Sequence, residues 1–284
     1  MAAPLIVALA ALAVACGSHG SGGPDAPPAG DAATADAPPF TGTCDPTSGP
    51  QCSNCRDDDD DGKIDGFDLQ CTGPRDNDES SFATGIPGDN IDAINQDCFF
   101  DGNSGGGNDG CNQHVCCLLG AMTKDECATK LTGIVNNPRQ EGNKYNVAEC
   151  FAPLGAATVP PQCMQVCGPL TPPGCDCFGC CTVCDPASPG TCYDIALNPT
   201  TSPGCSTETL GDPAICKRCT KVPSCGNTQC GGDSCVLCPG QDPSTLPASC
   251  SGAMCPTGVP ACDAGGQCPE GTYCSTGCCI EAAG

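Results

Sequence analysis

A small disulfide-rich fold, mostly irregular, with short strands, one or two short helices and no large core, is what this sequence predicts. Three observations predict it: 33 Cys in 284 residues, Gly and Pro numbering 38 and 29, and only 4% aromatic residues with no Trp. Cystines replace the apolar interior that small modules cannot build. Gly and Pro punctuate the chain too often for long regular elements. A single large α/β barrel would need repeated apolar strand and helix patterns, which the sequence lacks. The charge is equally one-sided: 33 acidic against 10 basic residues give a net charge of -23. That balance excludes the basic face through which proteins hold nucleic acid.

Five segments are expected: 1–15, 16–43, 44–110, 111–249 and 250–284. In the first, LIVALAALAVA (Leu5 to Ala15) is an apolar run too short to span a membrane, and small residues lead from it into Cys16. It resembles a bacterial lipoprotein signal, which implies lipidation of Cys16, a membrane partner through that lipid, and an exported address at the outer membrane or cell surface. Cleavage as an ordinary secretory signal and burial as a core helix are the alternatives. Parity agrees with lipidation, because setting Cys16 aside leaves 32 cysteines, an even number able to close into disulfides. An oxidising compartment is where so many would persist. In the second segment, SGGPDAPPAGDAATADAPP (Ser21 to Pro39) has no bulky apolar side chain and reads as a flexible tether.

The third segment opens on CRDDDDDGKIDGFDLQC, Cys55 to Cys71. With Asp57 at position 1 of a twelve-residue loop, Asp59 falls at 3, Asp61 at 5, Gly62 at 6, Ile64 at 8, Asp65 at 9 and Asp68 at 12, which is the calcium-loop register. Calcium takes six to eight oxygens, and the alternate Asp side chains with the Lys63 carbonyl offer them from one short loop. The other reading is a solvated acidic run. Cys55 and Cys71 crowd the loop and leave no room for the two helices of a regular EF-hand. The stretch therefore resembles the abbreviated calcium loops of dockerins and thrombospondin type 3 repeats, closed by cystines. A bond between Cys55 and Cys71 would remove roughly 3 kcal/mol of unfolded-state freedom, but spacing does not fix connectivity. Asp76, Asp78 and Glu79, and the DGNSGGGNDG stretch from Asp101 to Gly110, read either as donors to a second ion or as polar turns.

In the fourth segment, CNQHVCCLLGAMTKDECATKL (Cys111 to Leu131) is the best helical stretch, with Val115, Leu118, Leu119 and Met122 along one face. Thr123 with Glu126 predicts a capped second helix that breaks the first near Met122. Cys111, His114, Cys116 and Cys117 behind a Gly-rich stretch resemble the active-site helix of secreted phospholipase A2. That resemblance implies His114 as a general base and hydrolysis as an alternative function; Val115 stands where that family has its calcium-binding Asp. The cysteines then crowd through CDCFGCCTVC (Cys175 to Cys184), where Phe178 and the absence of Lys favour disulfides over a thiolate metal store. Cys216, Cys219, Cys235 and Cys238 have zinc-ribbon spacing and define an alternative zinc module, although Cys225 and Cys230 fall in the gap. The adjacent pairs Cys116/Cys117, Cys180/Cys181 and Cys278/Cys279 are expected to bond outward to separate partners.

The last segment, running from Cys250, is similar to small growth-factor-like and protease-inhibitor cystine modules, scaffolds that host binding more often than catalysis. The whole layout of lipoprotein start, Ala/Pro/Asp tether, acidic loop and cystine-rich tail resembles cysteine-rich surface lipoproteins of myxobacteria. From the sequence, then, the expectation is a non-catalytic, calcium-binding cell-surface protein. Its partners would be the membrane and an unidentified protein or polysaccharide ligand.

Overall fold

Pairing of the cysteines organises everything else. In a computed structural model, the described residues are 41–84, 92–101, 111–150, 159–222, 224–226, 229–241, 243–250, 255–263 and 265–282. The expected signal, Cys16 and nearly all of the tether lie outside them. Sixteen disulfides take up every cysteine from Cys44 to Cys279. They fall into consecutive blocks spanning 44–71, 98–167, 175–225, 230–250 and 255–279. The expected boundary at 110/111 therefore falls inside the loop closed by Cys98–Cys167, and Cys250 pairs backward to Cys235. All three adjacent pairs bond outward, as in Cys116–Cys127 beside Cys117–Cys150.

Regular structure between these staples is short. Strands β1 (Asn95–Gln96) and β2 (Gln113–His114) form one antiparallel pair. Strands β3 (Cys180–Cys184) and β4 (Cys192–Ala196) form a second, registered Cys180↔Ala196 through Cys184↔Cys192. Strands β5 (Thr272–Ser275) and β6 (Cys278–Glu281) form the third. A two-residue turn at Thr276 and Gly277, both with positive φ, joins β5 to β6, the turn whose twist matches paired strands.

Helix α1 (Val115–Leu118) is a single turn. Helix α2 (Lys124–Lys130) starts at Thr123, whose hydroxyl accepts the Glu126 N–H at 3.2 Å while the Glu126 carboxylate accepts the Met122 N–H at 2.7 Å. That cap was legible in the sequence. Helices α3 (Pro138–Lys144) and α4 (Pro161–Val166) each begin on a proline, whose missing N–H costs nothing in a first turn. Val115, Leu118 and Leu119 are buried as expected, but Met122 is exposed, because the chain turns at Gly120 and carries it off the α1 face.

Among the described residues, three small cores replace one large one. Val115, Leu119, Leu131 and Tyr145 pack around Cys116–Cys127 and Cys117–Cys150. Leu118, Val159, Phe178 and Val222 pack around Cys98–Cys167, Cys111–Cys163 and Cys177–Cys225. Phe82, Phe99, Val183, Ile195, Leu197 and Leu210 gather around Cys175–Cys181 and Cys205–Cys216. Cystine sulfur thus supplies much of each interior, as the scarcity of aromatics requires. Among the described residues no helix is long and apolar enough to cross a membrane.

Candidate metal centre

The acidic loop does not extend into solvent. Its side chains fold back onto its own backbone: Asp57 accepts the N–H groups of Asp61 and Gly62 at 3.1 and 2.8 Å. Asp59 accepts from Asp61 at 3.0 Å, and Asp61 from Lys63 at 2.7 Å. These short-range bonds are what Asp does best in a turn, and they coil the run into a loop. Gly62 sits at φ 89° with open space about it, so position 6 uses glycine for its backbone rather than for room. Asp57 and Asp59 become half-buried while Asp58 and Asp60 stay exposed, so the expected ligand positions 1 and 3 turn inward and the intervening ones outward. Asp61 and Lys63 are exposed at the loop's outer turn.

Position 12 carries the most telling group. Asp68 is 3% exposed; one of its oxygens accepts the Gln70 N–H at 2.7 Å, and Oδ2 has no hydrogen-bond partner. Burial pushes its carboxyl up to about 7, against the pull of that N–H, and Asp61, Asp59 and Glu79 push the same way. Asp59 is raised by burial too. Glu79 is fully buried, and burial raises it to about 7 although it accepts N–H groups from Asp58 at 2.6 Å and Asp65 at 2.9 Å. The two ion pairs among the described residues, Lys144–Glu141 and Lys221–Asp194, lie elsewhere.

Asp65, expected as the ligand at position 9, is used differently. Its carboxylate accepts the backbone N–H groups of Asn54 and Cys55 at 2.9 Å, where Cys55 takes a positive φ. It therefore fastens the loop's exit to its entrance. Gln70, which no loop register picks out, spans the base: its amide donates to Asp59 at 3.2 Å and to the Glu79 carbonyl at 2.7 Å, and its carbonyl accepts the Thr207 N–H at 3.0 Å. Cys55 and Cys71 do not join each other; they pair with Cys44 and Cys52, and the Cys52–Cys71 bridge encloses the whole loop. Asp76, buried and raised to about 8 by desolvation, spends its carboxylate on Thr72 and Asp78, and Asp78 spends its own on Ser80 and Ser81. Those two are turn caps.

His114 stands at the head of α1, where Nδ1 accepts the Cys116 N–H at 3.0 Å and the ring lies 5.0 Å from that of Tyr145. Burial lowers its pKa. The Gly-rich stretch that the phospholipase comparison needs falls mostly outside the described residues. Cys216, Cys219, Cys235 and Cys238 belong to four different disulfides, with Cys205, Cys180, Cys250 and Cys230, so the oxidised chain offers no zinc thiolate there. Comparison with known protein families, with curated proteins and with solved structures finds no match to this chain.

Proposed function

We propose that the chain is a lipid-anchored, non-catalytic surface protein whose acidic loop binds calcium and is ordered by it. The observation that carries this reading is the buried Asp68 Oδ2, which lacks a hydrogen-bond partner and stands among Asp59, Asp61 and Glu79, none of them paired to a Lys or Arg among the described residues. A desolvated carboxylate among like charges is costly, and a divalent cation removes that cost. The donors fit a hard ion: the carboxylates of Asp57, Asp59, Asp61 and Asp68 with the Lys63 carbonyl are all oxygen, the set calcium prefers. An affinity on the order of 0.1–1 mM, the range of extracellular modules, would keep the loop filled outside the cell.

The cystine framework supports an exported address, since reducing compartments do not sustain such a network. The lipid on Cys16 and the outer-membrane or cell-surface location rest on the signal's resemblance, as does kinship with myxobacterial surface lipoproteins. A structural or adhesive role, toward a protein or polysaccharide ligand, suits a stapled scaffold presented on a tether. Calorimetric titration of the oxidised protein with calcium chloride tests the reading. Saturable binding is expected in the wild type and its loss in the Asp57→Ala/Asp61→Ala double variant. No heat of binding at millimolar calcium overturns it.

A further inference from the structure

Glu79 lies eleven residues beyond the last position of the loop, outside any calcium-loop register. The fold nevertheless brings it back. Its carboxylate accepts N–H groups from Asp58 and Asp65, the second and ninth residues of the loop, so it sits across the loop from one side to the other. An oxygen of Glu79 and one of Asp68 lie within 4.8 Å of each other, a separation that one ion can bridge. Both side chains are buried, and Asp68 Oδ2 is unpartnered.

The donor count points the same way. Asp65 faces the Asn54 and Cys55 N–H groups, whereas a Glu79 oxygen lies beside Asp68; apart from Asp65, the loop offers five donor residues, Asp57, Asp59, Asp61, Lys63 and Asp68. Calcium takes six to eight oxygens, and the EF-hand loop, whose register this stretch shares, places a longer carboxylate at the twelfth position. Asp68 is one methylene shorter, and Glu79 arrives beside it. Resting on the calcium reading above, we propose that Glu79 is a ligand of the same ion, so that the site is assembled from two chain segments rather than from one contiguous loop. Cys52–Cys71 and the Gln70 side chain hold the two segments in register. The ion then ties the loop to the segment that ends in Phe82, a member of the core around β3 and β4.

Two experiments separate this proposal from the reading beneath it. In calcium titrations of the oxidised full chain, Glu79→Gln is expected to weaken binding about 10- to 100-fold. Asp65→Asn, which keeps an acceptor for the Cys55 N–H, is expected to stay within about threefold of the wild type. Because Glu79→Gln also disturbs two backbone hydrogen bonds, the wild type provides an independent readout. The chain has seven glutamates, and 13C labelling of their side-chain carboxyl carbons gives one resonance for each. Calcium is expected to move the resonance that is missing from Glu79→Gln. A wild type that binds calcium without moving any glutamate carboxyl signal overturns Glu79 as a ligand and leaves the loop reading standing. A wild type that takes up no calcium overturns both.

Discussion

At the scale of the residue, the chain repeatedly uses a buried carboxylate as a backbone acceptor. Asp176 is a case outside the acidic loop: it is 0% exposed and accepts N–H groups from Phe178 and Cys180, both at 2.9 Å, and from Val222 at 2.7 Å. Burial raises it to about 7 against those bonds and the nearby Lys221. Because the folded pKa lies above the ordinary 3.8, the folded state holds the proton longer than the unfolded one. The contribution of Asp176 to stability is therefore largest below about pH 4 and falls as pH rises toward 7, by roughly 1 kcal/mol per pH unit between those limits. Asp176→Asn, which turns an amide NH2 toward one of the three donors, is expected to cost about 1–3 kcal/mol. The gap between wild type and variant should close or reverse from about pH 4 to 7 in thermal unfolding with disulfides intact and calcium chelated. A gap independent of pH would show that the carboxylate ionises normally in the fold. Of all this, the sequence revealed only a carboxylate between two cysteines. For the loop it revealed the register but not the uses: Asp65 and Asp68 both fit a ligand position, yet one accepts the backbone N–H groups of Asn54 and Cys55 and the other is buried with a free oxygen. Those fates depend on Asn54, Cys55 and Gln70, which no periodicity connects.

At the scale of the element, short pieces hold their places by close contact where length cannot help. The 3-10 turn Asp65–Phe67, at the end of the acidic loop, lies against β5. A Cβ on Gly66 would collide with the Cys274 carbonyl oxygen, and the Tyr273 hydroxyl donates to the Cys52 carbonyl at 2.9 Å. The first and last disulfide blocks meet here, around a 140 Å³ cavity lined by Cys52, Ile64, Asp65, Phe67, Tyr273 and Cys274. Gly66→Ala is expected to force the turn off β5 at a cost of about 1–3 kcal/mol. Faster amide exchange at Thr272–Ser275, without change in α2 or α3, would report it; unchanged exchange would mean that the contact yields without opening. Elements defined by local chemistry, such as the Thr123 and Glu126 cap or the proline starts of α3 and α4, could be read from sequence. The packing of Asp65–Phe67 on β5 could not, since the two are about two hundred residues apart.

At the scale of the whole molecule, composition specified the class and little else. The cysteine count, the glycines and prolines and the scarcity of aromatics predicted a stapled, irregular chain, and the fold is of that kind. The connectivity stayed hidden, because six cysteines alone allow fifteen pairings. The final block uses first to fifth, second to fourth and third to sixth. Proteolysis of the unreduced protein is expected to release peptides linked only within 44–71, 98–167, 175–225, 230–250 and 255–279, with no free thiol from Cys44 onward. A peptide joining two blocks, or titratable thiols in the denatured protein, would refute the pairing. The strict succession of blocks along the chain also bears on how the molecule is made. Each set of cysteines is complete before the next begins, so a chain exported as proposed, amino end first, would finish oxidising one block while the following one is still behind the barrier. The segment 98–167 asks for the longest wait, with Cys167 following Cys98 by 69 positions. For a chain exported as proposed, that order of emergence would keep each block's cysteines from pairing with those of later blocks.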